Sequence, residues 1–327
     1  MNTNPTAIDR HRGCLLGLAV GDALGTTLEF SPPGTFAPIT DMVGGGPFHL
    51  AAGQWTDDTS MALCLAASLI EKQRFDPKDQ MDRYVRWYRE GYMSCTGSCF
   101  DIGGTTARAL RRYESDGNPF AGSLDGGGNG CLMRLAPAPM AYAADPMEAI
   151  RISGESARLT HGLPAAIAAS QAFGGMIVSA LSGDKKSDVL SKDKLEAMAG
   201  DLADSWRLQH DLYEVISGSY RTKKPPAIRG AGYVVKALEA ALWAFDRGED
   251  YADVVLRAAN LGDDADTTAA IAGQLAGAFY GVQGIPERWL KKLAMREQID
   301  EFAVRLFELA EQVATPPSGV GRNATRQ

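Results

Sequence analysis

Asp263, Asp264 and Asp266 fall within four positions and run directly into Thr267 and Thr268, in the stretch NLGDDADTTAAIAGQLAGAFYG (260–281). One carboxylate at a helix start is ordinary, because the partial positive charge there favours it. Three repel one another unless a cation lies among them. Carboxylate and hydroxyl oxygens are hard ligands, suited to Mg²⁺, Mn²⁺ or Ca²⁺. A second stretch, GQWTDDTSMALCLAASLI (53–70), repeats the pattern with Thr56, Asp57 and Asp58 ahead of another apolar run. Solvated charge on an over-capped helix would account for either cluster alone. Both clusters, however, open helices apolar enough to be buried, and burying unneutralised carboxylates is costly. Bringing the two together around one or two divalent cations answers both costs.

Other stretches carry weaker signals. Asp101 precedes the turn Gly103-Gly104-Thr105 and a helix expected from about Thr105, an arrangement that can cradle an anion. Gly126, Gly127, Gly128 and Gly130 surround Asn129 in LDGGGNGCLMRLAP (124–137), a density that lets backbone approach a ligand or marks a flexible surface loop. An apolar helix carrying Met133 and Leu135 is expected to follow at once. His161 stands at a helix junction, where a structural role is the commoner one and a ligand role stays open. Glu29 stands at a helix-to-loop exit, and Asp22, inside the same apolar run, reads as a hydrogen-bonded structural carboxylate.

The elements that must position these groups are helical. No period-2 alternation persists, and helical periodicity with small residues dominates, so the chain is expected to be all-α, one domain over 1–314 with a disordered tail at 315–327. Gly13, Gly17, Gly21 and Gly25 recur every four residues and so share one helix face, which allows close approach of a partner helix. Tyr84, Trp87 and Tyr88 are expected in the core, residues 183–210 on a peripheral amphipathic helix, and Tyr233 near the start of an apolar helix. The 327 residues are 45% hydrophobic and 22% charged, ordinary for a globular protein with a sizeable core. A net charge of −7 argues against non-specific nucleic-acid binding, which needs a basic surface. Five cysteines without a CxxC pair, no signal-peptide pattern and no run judged long enough to span a membrane point to a reducing, cytoplasmic setting.

In combination these motifs resemble the ADP-ribosylglycohydrolase family. The resemblance covers roughly residues 10 to 290 and rests on GDALG (21–25) with Glu29, WTDDT (55–59), FDIGGTT (100–106), GNGCLMRLAP (128–137), LTHG (159–162), GYVVKALEAALWAF (232–245) and GDDADTTAAIAGQLAGA (262–278). It implies a compact orthogonal helical bundle with two Mg²⁺ (or Mn²⁺). The implied metal ligands are Thr56, Asp57 and Asp58 with Asp264, Asp266 and Thr267. An ADP-ribose cleft would be lined by Asp101 to Thr105, Gly126 to Gly130, His161 and Tyr233. The implied reaction is hydrolysis of the bond joining ADP-ribose to a protein side chain, most simply arginine, with Asp101 and Glu29 as the catalytic carboxylates. Two positions depart from the family pattern: Gly104, where asparagine is frequent, and Asp263, where glycine is common.

Other functions compete with this one. Prenyl-diphosphate enzymes also pair acidic helix motifs with Mg²⁺, but they need aspartates one helical turn apart, and one turn beyond Asp57 and Asp58 stand Met61 and Ala62. A Mg²⁺-dependent hydrolase of a nucleotide or of another ADP-ribosyl linkage, such as serine, is compatible with the residues. So is a binding protein that neutralises an ADP-ribosyltransferase toxin and has that transferase as its partner.

Overall fold

The computed structural model describes residues 4–314, so the expected tail at 315–327 lies outside the described residues. The fold is built on two antiparallel helices, α1 (Ala7–Gly25) and, late in the chain, Ala265–Tyr280. The α1 glycines meet small residues of the second helix. A Cβ on Gly13, Gly17, Gly21 or Gly25 would sit 2.2–2.4 Å from the carbonyl oxygen of Gly277, Gly273, Ala269 or Ala265 respectively. Nothing larger than glycine fits, so the stripe seen in the sequence is the contact surface of the two central helices. Arg10 locks the far end by donating to the carbonyls of Ala278 and Phe279. The near end joins the C-terminus of α1 to the start of the acidic helix.

The remaining helices wrap this pair: α2 (Asp57–Lys72), α3 (Pro77–Glu90), α4 (Gly104–Asp116), α5 (Pro137–Ala141), α6 (Pro146–Arg158) and α7 (Pro164–Leu181). They are followed by α8 (Val234–Arg247), α9 (Tyr251–Ala259), α10 (the Ala265–Tyr280 helix) and α11 (Arg296–Ala314). Among the described residues extended pairing is limited to isolated bridges, as the all-α expectation required. Tyr84 and Trp87 are buried, and Tyr88 packs partly buried against the same cluster.

Three expectations are corrected. Residues 183–210 do not form one helix. They break into Lys186–Val189, Lys192–Ala199 and Ala203–Arg207, because Ser191 caps a new start and Gly200 takes a positive φ of 55°. Met133 and Leu135 lie in consecutive turns, and a five-residue helix starts only at Pro137, whose ring suits a first helical position. Finally, α7 is long and apolar enough to cross a membrane by length and composition, although 89% of that window is buried inside the fold.

Candidate functional site

The two acidic starts are neighbours. Thr56 Oγ1 lies 3.3 Å from Asp58 Oδ2 and 3.3 Å from Asp266 Oδ2, bridging α2 and α10. Neither helix caps itself, since the N-cap residues Thr56 and Asp264 make no side-chain capping bond. The caps come from the end of α1 instead. Asp22 accepts from the backbone and hydroxyl of Thr56 (both 2.9 Å) and of Thr59 (3.0 and 2.6 Å). Glu29 Oε2 accepts from the amides of Ala265 (2.8 Å) and Asp266 (3.4 Å). One short segment therefore fixes both helix starts, and the glycine stripe brings that segment within reach. Asp22 is structural, as expected. Glu29 is tied into the acidic centre: one carboxylate oxygen from each of Glu29, Asp264 and Asp266 lies within 4.8 Å of the others.

This concentration of charge is expensive. Burial, reinforced by Asp266, pushes the Asp22 carboxyl up to about 7 and Asp264 up to about 6. Burial raises Glu29 to about 12 and Asp101 to about 10, with neighbouring aspartates adding to both. Asp57 and Asp58 are raised by the same two causes. Asp58 Oδ1 is fully buried and has no hydrogen-bond partner among the described residues. An unpartnered carboxylate oxygen beside a hydroxyl and several other carboxylates is the donor set a hard divalent cation takes. The residues present fit such an ion.

Above the acidic centre lies a cleft of about 1040 Å³, lined by Glu29, Asp57, Asp101, Asp264, Asp266 and Thr267 on the charged side. Gly103, Gly104, Thr105, Gly128, Asn129, Gly130 and His161 also line it. Thr56 and Asp58 lie beneath its floor, buried. Gly126 and Gly127 do not line it: Gly126 packs against Thr105 and Ser123, and Gly127 against Leu163 and Tyr233. Tyr233 stands behind the loop, 38% exposed, and pairs with it through an isolated bridge to Gly128. The loop is held from both ends. Asn129 Nδ2 donates to Asp264 Oδ2 (2.8 Å), and Gln274 of α10 grips the Leu132 and Met133 carbonyls and the Ala136 amide. Asp101 carries a left-handed backbone, φ 59°, and so does Asp263, φ 54°.

The segment Arg229–Gly230–Ala231–Gly232 also lines the cleft and was not singled out in the sequence. A Cβ on Gly230 would lie 2.3 Å from the Gly262 carbonyl oxygen, so the segment lies directly on the turn before α10. Its two glycines ahead of an apolar helix were the available signal.

A family model described as ADP-ribosylglycohydrolase matches residues 3–316. The chain is 43% identical over 317 residues to ADP-ribosylarginine hydrolase Tri1 of Pseudomonas putida (strain GB-1), covering 95% of this chain and 81% of that protein. It is 34% identical over 299 residues to ADP-ribosyl-[dinitrogen reductase] glycohydrolase of Rhodospirillum rubrum, covering 90% and 93%. A solved structure titled ADP-ribosylglycohydrolase-related protein complex superposes with a TM-score of 0.81 at 45% identity, covering 93% of this chain and 99% of that one.

Proposed function

The chain belongs to the ADP-ribosylglycohydrolase family, and from that premise we propose that it hydrolyses the N-glycosidic bond between ADP-ribose and a protein arginine, with divalent cations held between α2 and α10. The arginine linkage is supported by the activity in the name of the Pseudomonas relative, an ADP-ribosylarginine hydrolase. The observation that carries the proposal is the shared acidic centre, in which Thr56 touches Asp58 and Asp266 directly beneath a cleft large enough for a nucleotide-sized ligand. Thr56, Asp57 and Asp58 with Asp264, Asp266 and Thr267 would hold Mg²⁺ or Mn²⁺. When bound, such ions orient ribose hydroxyls and lower the pKa of water.

The chain's own groups do the rest. The Gly103–Thr105 and Gly128–Gly130 backbone, with Arg229, faces the diphosphate. The bond from the anomeric carbon to the guanidine nitrogen breaks while the oxygen of water bonds to that carbon. Asp101 contacts the reacting ribose and passes a proton to the departing nitrogen. Glu29, held by the α10 amides, is the second carboxylate; with cations offsetting the burial and the neighbouring aspartates that raise its pKa, it would be ionised, take up the proton of water and stabilise developing oxocarbenium charge. The test incubates the protein with arginine-linked and serine-linked ADP-ribosylated proteins, with Mg²⁺ and after chelation. Release of free ADP-ribose from the arginine-linked protein, lost on chelation and restored by Mg²⁺, is expected. Release of AMP, preference for serine or activity indifferent to chelation would overturn the proposal.

A further inference from the structure

Arg134 is almost fully buried, 1% exposed, and among the described residues its side-chain hydrogen-bond partners are Met61 and Thr160, neither of them a carboxylate. Its guanidinium lies 4.7 Å over the Tyr84 ring, Nη1 reaches Met61 Sδ at 3.6 Å, and Nε has no hydrogen-bond partner among the described residues. Its one strong bond is from Nη2 to Thr160 Oγ1, at 2.5 Å. Thr160, itself buried, lies 2.8 Å through the same oxygen from His161 Nδ1. Burying an unpaired guanidinium is expensive, and packing alone would be served better by a methionine or leucine.

The geometry points to a relay in which Arg134 and Thr160 are positioning residues that hold the His161 ring proton on Nε2, facing the cleft, where it donates to an oxygen of ADP-ribose. Arg134 can only donate, so it occupies one lone pair of Thr160 Oγ1. The hydroxyl proton then needs an acceptor, and among the described residues the other side-chain partner of that oxygen is His161 Nδ1. Nδ1 therefore accepts, and the ring proton resides on Nε2. That nitrogen looks onto the glycine loop: a Cβ on Gly128 or Gly130 would lie 3.3 or 3.4 Å from it. Glycine at both positions leaves room for a ligand oxygen there. Burial, with the positive charge of Arg134 adding to it, lowers the His161 pKa to about 3, so the ring is a neutral donor throughout the physiological range. The assignment of the acceptor as ADP-ribose rests on the proposed function, whereas the tautomer does not.

The experiment uses the full chain labelled with nitrogen-15 at histidine. The chain has four histidines, and the His161 signals are identified by their loss in His161→Gln. Nε2 is expected to be protonated and Nδ1 unprotonated, from pH 5.5 to 8. In Thr160→Val the ring should redistribute toward the other tautomer, and affinity for ADP-ribose should fall about tenfold, the size of one hydrogen bond. Thr160→Ser should restore both. A proton on Nδ1 in the unaltered protein, or a tautomer unchanged in Thr160→Val, would overturn the relay, and the spectrum decides this whether or not ADP-ribose binds.

Discussion

Thr56 Oγ1 stands 3.3 Å from Asp266 Oδ2, joining two helix starts separated by 210 positions. If a divalent cation is shared there, it should stabilise the fold from both sides. At 100 times its Kd, Mn²⁺ should add about 2.7 kcal/mol of stability. Asp266→Asn should abolish the accompanying rise in Tm, measured by calorimetry with and without Mn²⁺. An equal rise in the variant would place the ion elsewhere.

Asn129 connects the cleft wall to the acidic centre, because its amide donates to Asp264 at 2.8 Å. Replacing it by alanine leaves Asp264 free to turn. Groups that orient ligands in this way typically change metal affinity or activity by about 10–100-fold. Asn129→Ala is therefore expected to weaken Mn²⁺ binding in a titration by that amount, with little change in Tm for the metal-free protein.

The raised carboxyls set a pH dependence. Asp22 and Asp264 have folded-state values of about 7 and about 6, above the ordinary 3.8. The folded protein thus binds more protons than the unfolded chain between those limits, and stability falls as pH rises through them. Each group contributes at most about 1.4 kcal/mol per pH unit in that window. Metal-free protein should lose Tm from pH 5 to pH 8, and Mn²⁺ should recover more of it at pH 8 than at pH 5. A flat profile for the metal-free protein would show that the carboxylates are not confined as described.

Close helix approach is the condition for the site. A Cβ on Gly17 would lie 2.4 Å from the Gly273 carbonyl oxygen, so Gly17→Val must push α1 and α10 apart. Overpacking of this kind costs about 1–3 kcal/mol. Because Asp22 lies near the end of α1 and Glu29 just after the short turn that follows it, hydrolysis should fall together with Tm. Full activity at the lowered Tm would show that the spacing of the two helices does not set the site.

The glycine period of α1, the two acidic starts and the turn at His161 were legible because each is a local pattern with a local physical meaning. The all-α class followed from the same periodicity. Four features were not legible. Glu29 could be placed at a helix exit, but its bonds to the Ala265 and Asp266 amides depend on a contact across 236 and 237 positions. Arg229–Gly232 enters the cleft only because Gly230 lies on the turn at Gly262. The second break in 183–210 hinges on Gly200, whose positive φ no periodicity announces. Met133 and Leu135 look like residues of a buried helix because both are apolar, whereas Gln274 holds the Met133 carbonyl in a turn and Leu135 closes the next turn onto Leu132.

The Thr56–Asp58 and Asp264–Thr267 clusters should hold the same divalent ions. Diffraction from crystals grown with Mn²⁺, recorded near the manganese absorption edge, tests it most directly. Anomalous peaks with oxygens of both clusters in their coordination shells are the expected result. Peaks touching one cluster alone, or no peak in the cleft at saturating Mn²⁺, would contradict it.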